Sequence, residues 1–191
     1  KNDEIYLTDV VSKSAKSHTI GSLSSNSSWE TLGINNRVKL AEAETVLRSQ
    51  IQKMRMEEGV TIIDPNSTYI DLTAKLGKDT VILPNTHLLG TTDIGTQCRI
   101  GPNTTVKNSS LSAECNVYDS VIEDSKLGRR VKVGPFSHIR AGGQIKDDVY
   151  IGNFVEIKNS KLGPGSKVGH FSYIGDAILG TNVNVGAGTV T

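Results

Sequence analysis

Between Ile70 and Val185 an aliphatic residue returns at every sixth position, with an occasional step of five. The series runs Ile70, Leu76, Ile82, Leu88, Ile94, Ile100 and Val106, then Leu111, Val117, Ile122 and Leu127. It continues through Val133, Ile139, Ile145, Ile151 and Ile157, then Leu162, Val168, Ile174, Leu179 and Val185. Gly follows 11 of these 21 positions. Four places after each aliphatic the residue is usually small or β-branched, as at Thr80, Thr86, Thr92, Thr104, Ser137, Val149, Val155, Ser166, Ser172, Val183 and Thr189. Lys126 and Lys161 break this second rule, and both fall at five-residue steps. Two coupled periodicities over about 120 residues predict a mainly β protein, a parallel β-helix of hexapeptide repeats. Each short strand turns a corner after six residues, three hexads make one coil, and both repeating positions point into a narrow prism.

Such a prism has no room for rings, which accounts for an aromatic content of 5%. The balance of 21 basic against 20 acidic residues disfavours nucleic-acid binding by bulk positive charge. No apolar run approaches the roughly 18 residues of a membrane span, and Lys1–Glu4 is too polar to open a signal peptide. Cys98 and Cys115 each follow an aliphatic by four, at Ile94 and Leu111, three hexads apart. They are therefore expected at one inward site on adjacent coils, about 4.8 Å apart between Cα atoms. That spacing permits a disulfide. Small core thiols kept reduced in the cytoplasm are the expectation, with no metal or catalytic role.

The chain opens on Lys1 and closes on Thr191 within the repeat, so both ends read as cuts through a longer protein. Residues 1–37 are too few to close a core and read as the tail of another domain, with a helix over Glu4–Val11 that opens near Asp3 and a strand at Trp29–Leu32. Residues 38–58 predict a linker helix with an apolar stripe of Val38, Ala41, Val46, Leu47, Ile51 and Met54. Asn36 is its expected N-cap, Gly59 its C-terminal stop, and Glu44 and Arg48 a favourable i,i+4 pair. Residues 59–191 form the β-helix domain.

Residues on either side of an inward aliphatic point outward. At Ile139, Ile157 and Ile174, one corner followed through consecutive coils, the preceding residues are His138, Glu156 and Tyr173 and the following ones Arg140, Lys158 and Gly175. Arg140 and Lys158 should stack about 5 Å apart. Like charges so placed are unfavourable unless both splay into water or an anion joins them; a phosphate suits the pair. His170, three residues before Tyr173, is a candidate general base for an attacking amine. His18, His87 and His138 have no comparable setting, and the four His are too scattered for a zinc site.

The stretches Gly134-Pro135-Phe136-Ser137-His138-Ile139-Arg140, Gly152-Asn153-Phe154-Val155-Glu156-Ile157-Lys158, 165–176 and 182–189 closely resemble a bacterial enzyme family. It is the bifunctional N-acetylglucosamine-1-phosphate uridylyltransferase / glucosamine-1-phosphate N-acetyltransferase family. Glu4–Val11, Gly33–Arg37 and Gly59–Pro65 fit its first domain's end, linker and second domain's start. The resemblance implies a left-handed coil, against the usual crossover hand, and a cytoplasmic homotrimer with acetyl-transfer sites shared between subunits. It implies that His170 deprotonates the 2-amino group of glucosamine 1-phosphate, which attacks the thioester of acetyl-CoA. Arg140 and Lys158 would hold the sugar phosphate, Tyr173 and Asn184 the sugar, and Glu156 would support His170 or the ledge. Ala187 would touch acetyl-CoA through its backbone. Asn35 resembles a ligand for Mg2+ and nucleotide in the uridylyltransferase site, whose Gly-rich loop and metal-binding Asp are not in this chain. The expectation is therefore no uridylyl transfer from UTP to make UDP-N-acetylglucosamine, and weak or no acetyl transfer, from this segment alone. Two alternatives stand beside this: another hexapeptide acyltransferase, or a non-catalytic trimerisation or regulatory β-helix.

Overall fold

The computed structural model describes residues 6–191, apart from the side chain of Ser28. The chain divides into two compact units, Lys1–Ala43 and Glu44–Thr191. In the first, helix α1 spans Leu7–Ser14. The expected start near Asp3 lies outside the described residues. The strand expected at Trp29–Leu32 is instead a single 3-10 turn, Ser28–Thr31. The amide of Leu32 bonds back to the carbonyl of Trp29 at 3.2 Å, and among the described residues no second strand pairs with the segment.

Helix α2 spans Arg37–Glu57. Asn36 caps it, its side chain accepting from the Lys39 amide at 2.9 Å. Gly59, at φ 96°, ends it, with the Val60 amide reaching back to the Arg55 carbonyl at 3.1 Å. The predicted stripe is only partly used: Ile51 is buried, whereas Val38, Leu47 and Met54 stay exposed. Arg48 lies 4.6 Å over the Tyr69 ring, in place of the expected partnership with Glu44. The end of α2 meets the solenoid through hydrogen bonding as much as through apolar packing. The first coil would otherwise leave carbonyls without donors. Gln52, itself buried, donates to the carbonyls of Pro65 and Thr68 at 2.8 and 2.7 Å, and Arg55 to that of Ala74 at 2.7 Å.

From Thr61 onward the chain winds about seven turns of a left-handed parallel β-helix. Its strands, mostly of two residues, pair only in parallel and in register with the coils above and below. Three faces result. Face A carries inward Ile82, Ile100, Val117, Val133, Ile151, Val168 and Val185. Face B carries Ile70, Leu88, Val106, Ile122, Ile139, Ile157 and Ile174. Face C carries Leu76, Ile94, Leu111, Leu127, Ile145, Leu162 and Leu179. Nearly all are buried, each contributing about 1.5–3 kcal/mol of apolar transfer.

The corners show what the broken rule at Lys126 and Lys161 means. In most six-residue steps the third residue after the inward aliphatic turns the corner with positive φ, as at Asp79, Asn85, Gln97 and Asn103. In the five-residue steps it is the second: Asn108, Asp119, Asp124, Asn159 and Asp176. One turn residue is missing, so the small inward residue moves to the third place and is Ser109, Ser120, Ser125, Ser160 or Ala177. Lys126 and Lys161 lie one place past it and face solvent. The buried hydroxyls find neighbouring carbonyls, as Ser125 does with Arg140 at 2.8 Å.

Candidate functional site

Face B presents two outward columns. The first runs Thr105, Val121, His138, Glu156, Tyr173; the second Lys107, Glu123, Arg140, Lys158, Gly175. Arg140 and Lys158 do occupy successive coils, the Arg140 amide donating to the Ile157 carbonyl at 2.8 Å. The two cations are not left facing each other, however. Arg140 Nη1 donates diagonally to Glu156 Oε1 at 2.7 Å. That hydrogen bond first, and the carboxylate's charge after it, holds the guanidinium pKa above its ordinary value. A second diagonal joins His138 Nε2 to Glu123 Oε2 at 3.1 Å. Lys158 has no ion pair among the described residues, so the ledge keeps one uncompensated cation beside a paired one.

A cleft of about 400 Å3 opens next to this ledge, lined by His138, Glu156 and Tyr173 and by Phe136, Phe154 and Phe171. The three phenylalanines, all the protein has, occupy the corner between faces A and B on consecutive coils. Phe136 and Phe154 stack with ring centroids 5.5 Å apart. Each has positive φ (58°, 53° and 46°), a region that bulky residues rarely adopt, and each is exposed, at 60, 59 and 70%. Sequence reasoning put His138 in one column with Glu156 and Tyr173 but missed the aromatic column beside it. The signal was present: Phe recurs at the third place after Val133, Ile151 and Val168.

His170 stands on the far side of that corner. It pairs with Asn153 in the coil below, it is exposed, and its ring has no hydrogen-bond partner within the described chain. Ala187 is the matching position one coil up, and Asn184 lies outward on face A above Lys167. The structure thus gathers Arg140, Glu156, Lys158 and Tyr173 on face B. It sets His170, Asn184 and Ala187 along face A and its edge, with Phe171 between the two groups. Asn35 is an exposed residue of the first unit. Mg2+ is usually held through one or two carboxylates, and no group of three or more His, Cys, Asp or Glu among the described residues could hold a metal. Asn35 alone does not make that site.

Cys98 and Cys115 are buried, free, and on adjacent coils as expected. Their thiols donate to the carbonyls of Ser112 and Gly128 at 3.2 and 3.0 Å. The neighbouring Cys98 thiol, followed by burial, pushes the Cys115 thiol up.

The model of a bacterial transferase hexapeptide family (six repeats) matches residues 73–108. That stretch lies within the hexapeptide repeat that runs from Ile70 to Val185. Along its whole length the chain is 47% identical to the bifunctional protein GlmU of Exiguobacterium sibiricum, of which it covers 44%. It is 48% identical to GlmU of a Geobacillus species and 51% to that of Caldanaerobacter subterraneus, in each case over 98% of the chain and 41% of the relative. The match lies in the C-terminal part of these proteins, so the chain spans less than half the length of the curated relatives. No helix among the described residues is long and apolar enough to cross a membrane.

Proposed function

We propose that this chain is the acetyl-transfer part of a bifunctional sugar-nucleotide enzyme, moving the acetyl group of acetyl-CoA to the 2-amino group of glucosamine 1-phosphate. The observation that carries it is the basic ledge of Arg140 and Lys158 beside the cleft of Glu156, His138 and Tyr173, in a chain 47% identical to GlmU. A sugar phosphate satisfies what the ledge lacks. Its phosphate meets the free Lys158 and shares Arg140 with Glu156, while its ring lies against Tyr173. The amine then attacks the thioester carbon as His170 takes its proton. A C–N bond forms, the C–S bond breaks, and coenzyme A leaves as the thiol once the proton is returned. Asn184 contacts the sugar and the Ala187 backbone the acetyl donor.

These groups lie on two faces separated by a corner, which favours a homotrimer whose sites join face B of one copy to face A of the next. The exposed aromatic column marks the edge that a neighbour covers. Residues 1–37 belong to the uridylyltransferase domain of the whole protein, 38–58 to the linker and 59–191 to the acetyltransferase domain. Uridylyl transfer from UTP with Mg2+ requires groups beyond Asn35. Two free buried thiols suit a cytoplasmic protein.

Thiol release from acetyl-CoA, measured with glucosamine 1-phosphate on the full-length protein and its His170→Ala variant, tests this. Release that needs the sugar phosphate and drops at least about 100-fold in the variant is expected. A folded wild type that releases nothing would leave the β-helix as an assembly module, and release from a different acceptor would make it another acyltransferase.

A further inference from the structure

In the second outward column of face B, Leu89, Lys107, Glu123, Arg140 and Lys158 all carry side chains into solvent, and Gly175 alone carries none. Most other glycines following an inward aliphatic are held by the next coil's backbone, as where a Cβ on Gly77 would come within 2.5 Å of the Gly95 carbonyl carbon, whereas Gly169, Gly180 and Gly186 have no atom closer than 3.9 Å. Gly175 is different. The three atoms nearest to a Cβ there all belong to the ring of Tyr173, Cε1 and the phenol oxygen at 2.5 Å and Cζ at 2.7 Å. Its φ is not positive, so the backbone itself accepts a side chain. Tyr173 belongs to the first column, and its ring therefore crosses its own strand to lie over the second. Gly175 pairs with Lys158, which places the phenol oxygen at the top of the Arg140–Lys158 stack.

We infer that Gly175 is a positioning residue for sugar-phosphate binding: the missing side chain is the slot that lets Tyr173 lie across the end of the basic ledge. The inference rests on the acetyl-transfer reading above. Ala at this position turns the Tyr173 ring away, because the ring's far end is free to rotate while the strand backbone is not.

The test is a double-mutant cycle in the full-length enzyme with Gly175→Ala, Tyr173→Ala and both together. Gly175→Ala should raise KM for glucosamine 1-phosphate about tenfold, the loss expected of one well-placed polar contact, and leave KM for acetyl-CoA within about twofold. In the Tyr173→Ala background the same change should add less than about twofold. Independent, multiplying effects, or an unchanged KM in Gly175→Ala, overturn the inference. If Gly175→Ala alone fails to fold, the double variant must recover the fold, since it removes the clash; a double variant that stays unfolded also overturns it. A wild type with no acetyl transfer to this sugar phosphate defeats the functional reading instead, a distinct result.

Discussion

The corner between faces A and B is built in two ways along one solenoid. In the lower coils it holds Asn85, Asn103 and Asp119, each with positive φ. Asn and Asp adopt that region more readily than other non-glycine residues. Their side chains also form a ladder, Asn85 to Asn103 at 2.9 Å and Asn103 to Asp119 at 2.8 Å. In the upper coils the same backbone position holds Phe136, Phe154 and Phe171. Among the described residues only the Phe136–Phe154 stack offsets that choice in part: the rings are exposed and the conformation costs about 1–3 kcal/mol per residue. The lower corner is optimised for the coil that carries it. The upper one is not explained by the coil that carries it, and it lies beside the Arg140–Lys158 ledge and its cleft.

Exchanging the two solutions should break the comparison in opposite directions. The largest effect is expected from Phe154→Asn. An aromatic anchor at an interface is worth about 2 kcal/mol or more, so trimer dissociation should strengthen by at least about thirtyfold per interface. Light scattering reads this, and acetyl transfer should fall with it. The dissociated chain should melt no lower than the wild-type monomer. A variant that remains trimeric and active would remove the aromatic column from the interface. The converse, Asn103→Phe, loses two ladder hydrogen bonds and gains a strained φ. A loss of about 2–3 kcal/mol in urea unfolding is expected, with assembly unchanged. Equal stability would mean that the corner tolerates Phe for local reasons and that the upper column needs no partner.

The inside of the prism was legible in the sequence because an inward side chain must be aliphatic in every coil, and the run from Ile70 to Val185 says so residue by residue. The outward columns followed by counting, which placed Arg140 over Lys158 and Tyr173 over Glu156. What counting could not supply was side-chain direction. The Arg140–Glu156 and His138–Glu123 diagonals depend on rotamers, and they change a stack of like charges into an alternating lattice. The five-residue steps read as faults because the fixed quantity is the corner, not the hexad: Asp124 and Asn159 turn one place early, and Ser125 and Ser160 move inward with them. His170 was placed near the ledge by its distance along the chain, yet Phe171 turns the corner between them. The linker helix misled for a related reason. Its stripe has helical spacing, but of its members only Ile51 is buried, and the contacts with the solenoid include the polar Arg48, Gln52 and Arg55.

The two thiols sharpen the comparison from inside. Cys98 and Cys115 lie in the lower coils, each about 1% exposed, and thiolate rather than thiol is the reactive form. Their reaction with a water-soluble disulfide reagent should require opening of those coils, at least about 100-fold slower than in the unfolded chain. Phe154→Asn should leave that rate unchanged, and Asn103→Phe should raise it. If the upper-corner variant speeds thiol reaction as much as the lower one, the coils do not open as separate units and the two corners are not independent.

The corner between faces C and A offers a third solution and the smallest effect. Arg130 and Asp148, again at positive φ, join adjacent coils through two hydrogen bonds of 2.6 and 2.7 Å. The Arg130 hydrogen bond holds the Asp148 carboxyl below its ordinary value of 3.8. A carboxyl whose pKa is lowered by folding stabilises the fold above its unfolded value and loses that contribution as pH falls through the folded one. The stabilisation from this pair is therefore complete above about pH 4–5 and fades below it. Both groups are open to solvent and screened by salt. Arg130→Ala should accordingly lower the melting temperature only slightly at pH 7 and low salt, and the difference should shrink as pH falls below the ordinary carboxylate range or as salt rises. A large, salt-insensitive loss would show the ion pair to be structurally equivalent to the amide ladder. The expected small one ranks the three corners: a polar ladder that stabilises its own coils, a charged pair that barely does, and an aromatic column that the proposed assembly would cover.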